Sequence, residues 1–209
     1  MSLITAVVVG GSAEPWEAFG FHLLSATSTE SRFSLGDVVL VVDTARPAGM
    51  VSWEITEVQP GAIDGIHTVI STNSLELPLE PGTVGCLGVD HVVVRTNSLE
   101  VTCAAITAAT GAPVKRTRDA GSGMQQAFHK LGSVVVEVVS AAEQVEHTHL
   151  WGFVVNVSDI DALSARLGPD VLGAPKPATQ PGRRIASARS GAALGVPFAV
   201  MDLGVAVAG

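Results

Sequence analysis

One order of elements is written twice in the C-terminal two thirds of the chain: a valine-rich strand, a capped helix, then further strands. The first copy opens at Val89-Asp90-His91-Val92-Val93-Val94-Arg95-Thr96. A helix is predicted over about 98–110, with Asn97 as N-cap, Glu100 in capping-box position and an apolar stripe of Leu99, Cys103 and Ile106. Gly111 and Pro113 stop it, and strands are expected at 113–118, 124–130 and 133–139. The second copy opens at His149 and runs as a strand to Val157. Ser158 is read as N-cap, with Asp161 three residues on and a stripe of Ile160, Leu163 and Leu167. Strands near 171–173, 184–189 and 197–203 follow, interrupted by a proline-rich loop at 175–182. Each copy reads βαβββ, which predicts an α+β chain built from paired modules, 87–140 and 147–204.

The N-terminal third echoes this plan more weakly. Ile4 to Val9 matches Val89 to Val94, and Leu35-Gly36-Asp37-Val38 onward matches Leu131-Gly132-Ser133-Val134. Trp53 and Ile63-Asp64 correspond to Trp151 and Ile160-Asp161. Residues 1–86 are therefore expected to be a shortened, degenerate copy, and 87–205 the main unit; an unrelated N-terminal domain is the competing reading. A linker is expected from Leu77 to Gly88, where two prolines fall among glycines.

Composition narrows the function classes. The chain has 209 residues, enough to bury a core without help from a metal or disulfide. Its two cysteines, Cys86 and Cys103, have no C-x-x-C spacing, which suggests neither a disulfide framework nor a cysteine zinc site and fits a reducing cytoplasm. A net charge of -8 with no basic run longer than Arg183-Arg184 argues against nucleic acid as a partner. Met1-Ser2-Leu3-Ile4 lacks the basic opening of an export signal. The apolar run 191–209 contains Pro197 and Asp202, so a buried strand is expected there and not a membrane span. With 47% hydrophobic but 4% aromatic residues, the core must be mostly aliphatic, and the valine runs favour strands covered on both faces. Gly10-Gly11 is followed by neither a dinucleotide fingerprint nor a phosphate loop.

Gly88-Val89-Asp90-His91-Val92-Val93-Val94, the capped helix after it, Leu131-Gly132 leading to Val134-Val135-Val136-Glu137, and Trp151-Gly152 opening a second module together resemble the glyoxalase, bleomycin-resistance and extradiol-dioxygenase superfamily, the vicinal oxygen chelate group. The 181–186 segment is similar to bacterial glyoxalase-like domain proteins. The resemblance implies a curled mixed sheet around a cleft and a divalent metal (Zn, Ni, Fe or Mn) held from four strand positions. It also implies a small-molecule ligand and, as a default, a homodimer. It places His91 and Glu137 at two of the metal positions. In the second module the helix-cap alignment sets Gly152 opposite His91, and the alignment of the Leu194-Gly195 turn with Leu131-Gly132 sets Val200 or Met201 opposite Glu137, none of which can hold a metal. His149, three residues from Gly152, would face the other side unless a bulge intervenes.

Glu137 stands out on its own account, a carboxylate inside Val134 to Val139 that needs a cation, a donor or a metal. Burial would raise its pKa toward values suited to a general base. A structural Glu137 paired with Arg95 or Arg184 is the alternative. His91 and Arg95 share strand parity and are expected to face one cleft; a hydrogen-bonded core histidine is the other reading of His91. Gln126 is a candidate for orienting a ligand oxygen. Arg184 is a candidate anion clamp, with a solvated Arg183-Arg184 pair as the alternative. Trp151 and Trp53 read as core or cleft-wall residues. Three functions follow: a metal-assisted lyase, isomerase or dioxygenase with Glu137 as base, a metal-free binding protein of the bleomycin-resistance kind, or a non-catalytic scaffold.

Overall fold

The computed structural model describes residues 2–59, 62–71, 80–140 and 143–204. Residues 77–79 of the expected linker and 205–209 of the C-terminal run lie outside the described residues. The N-terminal third contains β1 (Ile4–Gly10), α1 (Glu14–Phe19), β2 (Leu23–Ala26), β3 (Glu30–Leu35), β4 (Val38–Asp43), β5 (Gly49–Ile55) and β6 (Thr68–Ile70). Then come β7 (Cys86–Thr96), α2 (Leu99–Thr110), β8 (Arg116–Gly121), β9 (Met124–Leu131) and β10 (Val134–Ser140). The last part contains β11 (His149–Val157), α3 (Ile160–Leu167), β12 (Lys176–Pro177), β13 (Arg184–Ser187) and β14 (Phe198–Asp202).

Two mixed sheets result, ordered β2-β3-β4-β1-β5-β6 and β12-β13-β14-β11-β7-β10-β9-β8. In the larger sheet both halves follow one plan, the first and fourth strands lying parallel and the other two stepping outward. The halves join where β7 meets β11 antiparallel. This is the expected α+β architecture of paired βαβββ modules. The sheet is curled: β8 and β12, at its opposite edges, line the same cavity. The smaller sheet shortens the plan. Strands β1 to β4 with α1 complete one unit, β1 parallel to β4, while only β5 and β6 stand for the second. Gly36 and Gly132, with φ of 77° and 66°, make the same hairpin turn into β4 and β10, in the left-handed region that favours glycine, which is why the two segments read alike.

The helix stripes are where the periodicity put them: Cys103, Ile106, Ile160 and Leu163 are buried, with Leu99 and Leu167 packed alongside. Both caps sit one residue later than expected. Ser98 and Asp159 have extended backbones and accept from the next turn, Ser98 from Val101 N and Asp159 from Asp161 N and Ala162 N. Asn97 is thereby released to clamp Val145 through both amide atoms. The strand expected at 171–173 is reduced to one bridge, Leu172 with Ala188, and β12 lies inside what reads as a loop.

One continuous apolar core draws on both sheets. Its centre is aromatic: Trp16 of α1 stacks on Phe153 of β11 at 5.9 Å and meets Phe198 of β14 edge-on at 5.6 Å. Arg166 of α3 donates to the Phe19 carbonyl at 2.6 Å, tying the last turn of α1 to the larger sheet. Trp53 is fully buried and donates to Thr68 Oγ1. Cys86 and Cys103 are free and buried, and burial pushes the Cys86 thiol up to about 12. Among the described residues no helix is long and apolar enough to cross a membrane.

Candidate functional site

The concave face of the larger sheet holds a cleft with two lobes. One has a volume of 620 Å3 and the other 480 Å3, and His91, Gln126 and Glu137 line both. Glu137 of β10 and His91 of β7 each keep 15% of their side chain exposed, with His91 Nε2 3.5 Å from Glu137 Oε2. Gln126 of β9 donates from Nε2 to Glu137 Oε1 at 2.5 Å. One carboxylate oxygen is thus anchored while the other faces the cleft. Burial raises the Glu137 pKa, with the nearby His91 and Arg118 pulling the other way. Gln126 Oε1 is buried and has no hydrogen-bond partner among the described residues.

Strand irregularities bring in a residue that alternation would turn away. The β7–β11 register slips at Asp90, since His91 pairs with Val154 but Val89 with Val155. This bulge turns Asp90 into the cleft beside His91. Asp90 Oδ2 lies 2.8 Å from His91 Nδ1, and Asp90 Oδ1 accepts from Arg183 at 2.7 Å. Burial opposes ionisation of Asp90, but His91 and Arg183 outweigh it and hold the carboxyl at about 2. An ionised carboxylate only accepts, so His91 Nδ1 carries the hydrogen and Nε2 is the atom turned to Glu137.

Arg183 is the largest departure from the sequence reading. It is not half of a solvated pair: 14% of its side chain is exposed, and its guanidinium bridges Asp90, Asn156, Gln180 and the Asp202 carbonyl. Only the folded chain brings those partners together. Arg184, the proposed clamp, points elsewhere. Its guanidinium is held by Asp161 and Asp202, each at 2.9 Å, and it lines neither lobe. Arg95 lines the smaller lobe, with Glu143 3.9 Å away. Neither Arg95 nor Arg184 is the partner of Glu137.

The second half of the sheet mirrors none of this polarity. Counted from the caps Ser98 and Asp159, Gly152 takes the place of His91, and Val154 that of Val93. Glu137 sits beside Val93, whereas the residue beside Val154 is Ala199. The counterpart of Glu137 is therefore Ala199, not Val200 or Met201: Val200 belongs to the core, and Met201 packs with Val154 and Ala199 on the cleft side. A second bulge at Trp151 does bring His149 to the face of Arg95, its partner across the strands. There it bonds its own strand's neighbour, the His147 carbonyl, and lines neither lobe. The smaller sheet is barer still, with Val41 beside Val8 where the larger has Glu137 beside Val93.

Solved structures share this architecture. A methylmalonyl-CoA epimerase from Mycobacterium tuberculosis aligns over 60% of this chain and 94% of its own, at 18% identity and TM-score 0.50. A triple variant of 4-hydroxymandelate synthase from Streptomyces coelicolor aligns over 97% of this chain and 93% of its own, at 13% identity and TM-score 0.65. A xylose isomerase-like TIM barrel/4-hydroxyphenylpyruvate dioxygenase fusion protein aligns over 99% of this chain and 50% of its own, at 10% identity and TM-score 0.67. No protein-family profile and no curated protein matches the chain. The chain thus shares the fold of these epimerase, synthase and dioxygenase structures, the architecture that the resemblance to the vicinal oxygen chelate group implied. Alignments over nearly the whole chain take in both sheets, so the duplication is shared as well.

A metal centre of the kind this fold implies needs at least three protein ligands. His91 Nε2 and Glu137 Oε2 offer two. Both Asp90 oxygens are engaged by His91 and Arg183, and Gly152 and Ala199 offer no donor. Among the described residues no group of three or more His, Cys, Asp and Glu is arranged to hold an ion. The described side chains therefore do not fit a resident metal.

Burying Glu137 has a stability consequence with a definite sign. Its folded pKa is raised, so the native state holds a proton that the unfolded chain releases, and stability falls as pH rises through that window. Glu137→Gln is therefore expected to melt higher than the parent at pH 8, the gap closing toward pH 4, where both states bind the proton. Equal melting temperatures at pH 8 would show that the carboxylate carries no burial penalty.

Proposed function

We propose that this chain binds a small oxygen-bearing organic molecule in the cleft and exchanges a proton with it through Glu137. The observation that carries the reading is the asymmetric hold on that carboxyl, Oε1 fixed by Gln126 and Oε2 turned to the cleft beside His91. A raised pKa makes the Glu137 carboxylate a stronger base than an ordinary glutamate, which favours taking a proton from carbon next to a carbonyl. His91, fixed by Asp90, faces the same oxygen and is placed to receive or return that proton. The chemistry proposed is that of an isomerase or lyase, resting on residues of one half of the sheet.

The test is proton exchange. Incubation in D2O with a panel of 2-oxo acids and 1,3-dicarbonyls, followed by NMR, is expected to show faster loss of the α-proton signal for at least one compound. Glu137→Gln should return that loss to the buffer rate. Binding without exchange across the panel would overturn the proton-transfer step and leave a protein that sequesters its ligand, a role that the apolar Val154, Ala199 and Met201 wall also supports.

A further inference from the structure

The two lobes of the cleft differ in chemistry. Lys115, Arg116 and Arg118 at and before β8 and Lys176 of β12 line the larger one. They are four of the chain's 12 lysines and arginines, gathered at one cavity of a protein whose net charge is -8. Among the described residues none of the four has a carboxylate within ion-pair distance, whereas Arg32, Arg46, Arg95, Arg183 and Arg184 all do. Arg116 and Arg118 are two apart on one strand and so share a face, and Arg116 is steadied over the Phe128 ring at 4.7 Å. In the smaller lobe Arg95 has Glu143 as its partner, and beyond the polar residues shared with the larger lobe the wall is mainly apolar, with Val93, Trp151, Val154, Pro197 and Ala199, Trp151 being 43% exposed at its rim.

We infer that the ligand is an amphiphilic organic anion, with a phosphate-like head in the lobe of Lys115, Arg116, Arg118 and Lys176 and an apolar body against Trp151 and Val154. The inference rests on the reading of this cleft as a ligand site and adds what the ligand is. A carboxylate head would offset one of the four cations, whereas a phosphate monoester carries between one and two negative charges near neutral pH and three acceptor oxygens. Of the two acids on the same wall, Asp90 is already neutralised by Arg183. Glu137 lies where the lobes meet, so the proposed proton transfer falls on the ligand's middle atoms.

Cations on edge strands also block unwanted strand pairing. The two roles separate by calorimetry with octyl phosphate below its micellar concentration, beside inorganic phosphate, octanoate and octyltrimethylammonium. Octyl phosphate is expected to bind at least about ten-fold more tightly than each of the other three, and more weakly as salt is added. The double variant R116A/R118A should lose about ten-fold or more of that affinity, the equivalent of one charge-assisted hydrogen bond, and Trp151→Ala should weaken octyl phosphate but not inorganic phosphate. Equal binding of octyltrimethylammonium, or unchanged affinity in R116A/R118A, would overturn the inference. Octyl phosphate binding with no proton exchange in the D2O panel would leave this inference standing and sink only the proton-transfer step.

Discussion

Trp16→Ala is expected to cost about 4 kcal/mol, which for a chain of this length lowers the melting temperature by roughly 10 °C. Trp16 is 1% exposed and touches three other rings, Phe21, Phe153 and Phe198. Truncation therefore removes its transfer energy, leaves a cavity that aromatic neighbours cannot collapse into, and deletes ring pairs worth more than their area. The location adds a second expectation. Trp16 belongs to α1 of the N-terminal third, whereas Phe153 and Phe198 belong to the larger sheet, so the residue stitches the two sheets into one core. Guanidinium unfolding followed by fluorescence and circular dichroism should give coincident transitions in the parent and separated ones in the variant. A loss under about 1 kcal/mol, or split transitions in the parent, would show that the sheets are stable apart.

That stitch was not legible in the sequence, although much of the framework was. The repeats were readable because strand, cap and helix stripe are local signals, and because Gly36 and Gly132 mark the same turn. Glu137 announced itself by sitting in a run of valines. What failed were inferences that assume regular alternation. Parity cannot foresee that β7 gains a residue at Asp90 or β11 one at Trp151, and it was the bulges that turned Asp90 into the cleft and His149 to the face of Arg95. Counting from turns likewise missed Ala199, because the register of β14 on β11 is set by tertiary pairing. The cationic lobe was equally hidden. Lys115 to Arg118 and Lys176 are some sixty residues apart in sequence and belong to opposite edges of a flat sheet; only the curl joins them.

Arg183 illustrates the same limit and carries the other large expected effect. In sequence it is one of two adjacent arginines after a proline loop; folded, the two have opposite roles, Arg184 in an exposed pair with Asp161 and Arg183 largely buried against Asp90. Arg183→Met, which keeps most of the aliphatic stem, is expected to cost about 3 kcal/mol at pH 7, because Asp90 is left buried and charged with His91 alone, while Asn156 and the Asp202 carbonyl lose their donor. The acid limb makes the cause identifiable. The Asp90 carboxyl is held at about 2, below its unfolded value near 4, so its contribution of about 2 kcal/mol is present above pH 4 and lost as pH falls to 2. The variant, lacking one of the two groups that lower this pKa, should lose less stability across that interval, and the two stability curves should converge toward pH 2. If the variant lies within 1 kcal/mol of the parent at pH 7, or if the two curves run parallel from pH 4 to 2, Arg183 is not what holds Asp90 ionised. The consequence reaches the cleft. In the variant Asp90 takes up its proton at a higher pH than in the parent, and once protonated it no longer defines the hydrogen on His91 Nδ1 or commits Nε2 to the oxygen of Glu137 that faces the ligand.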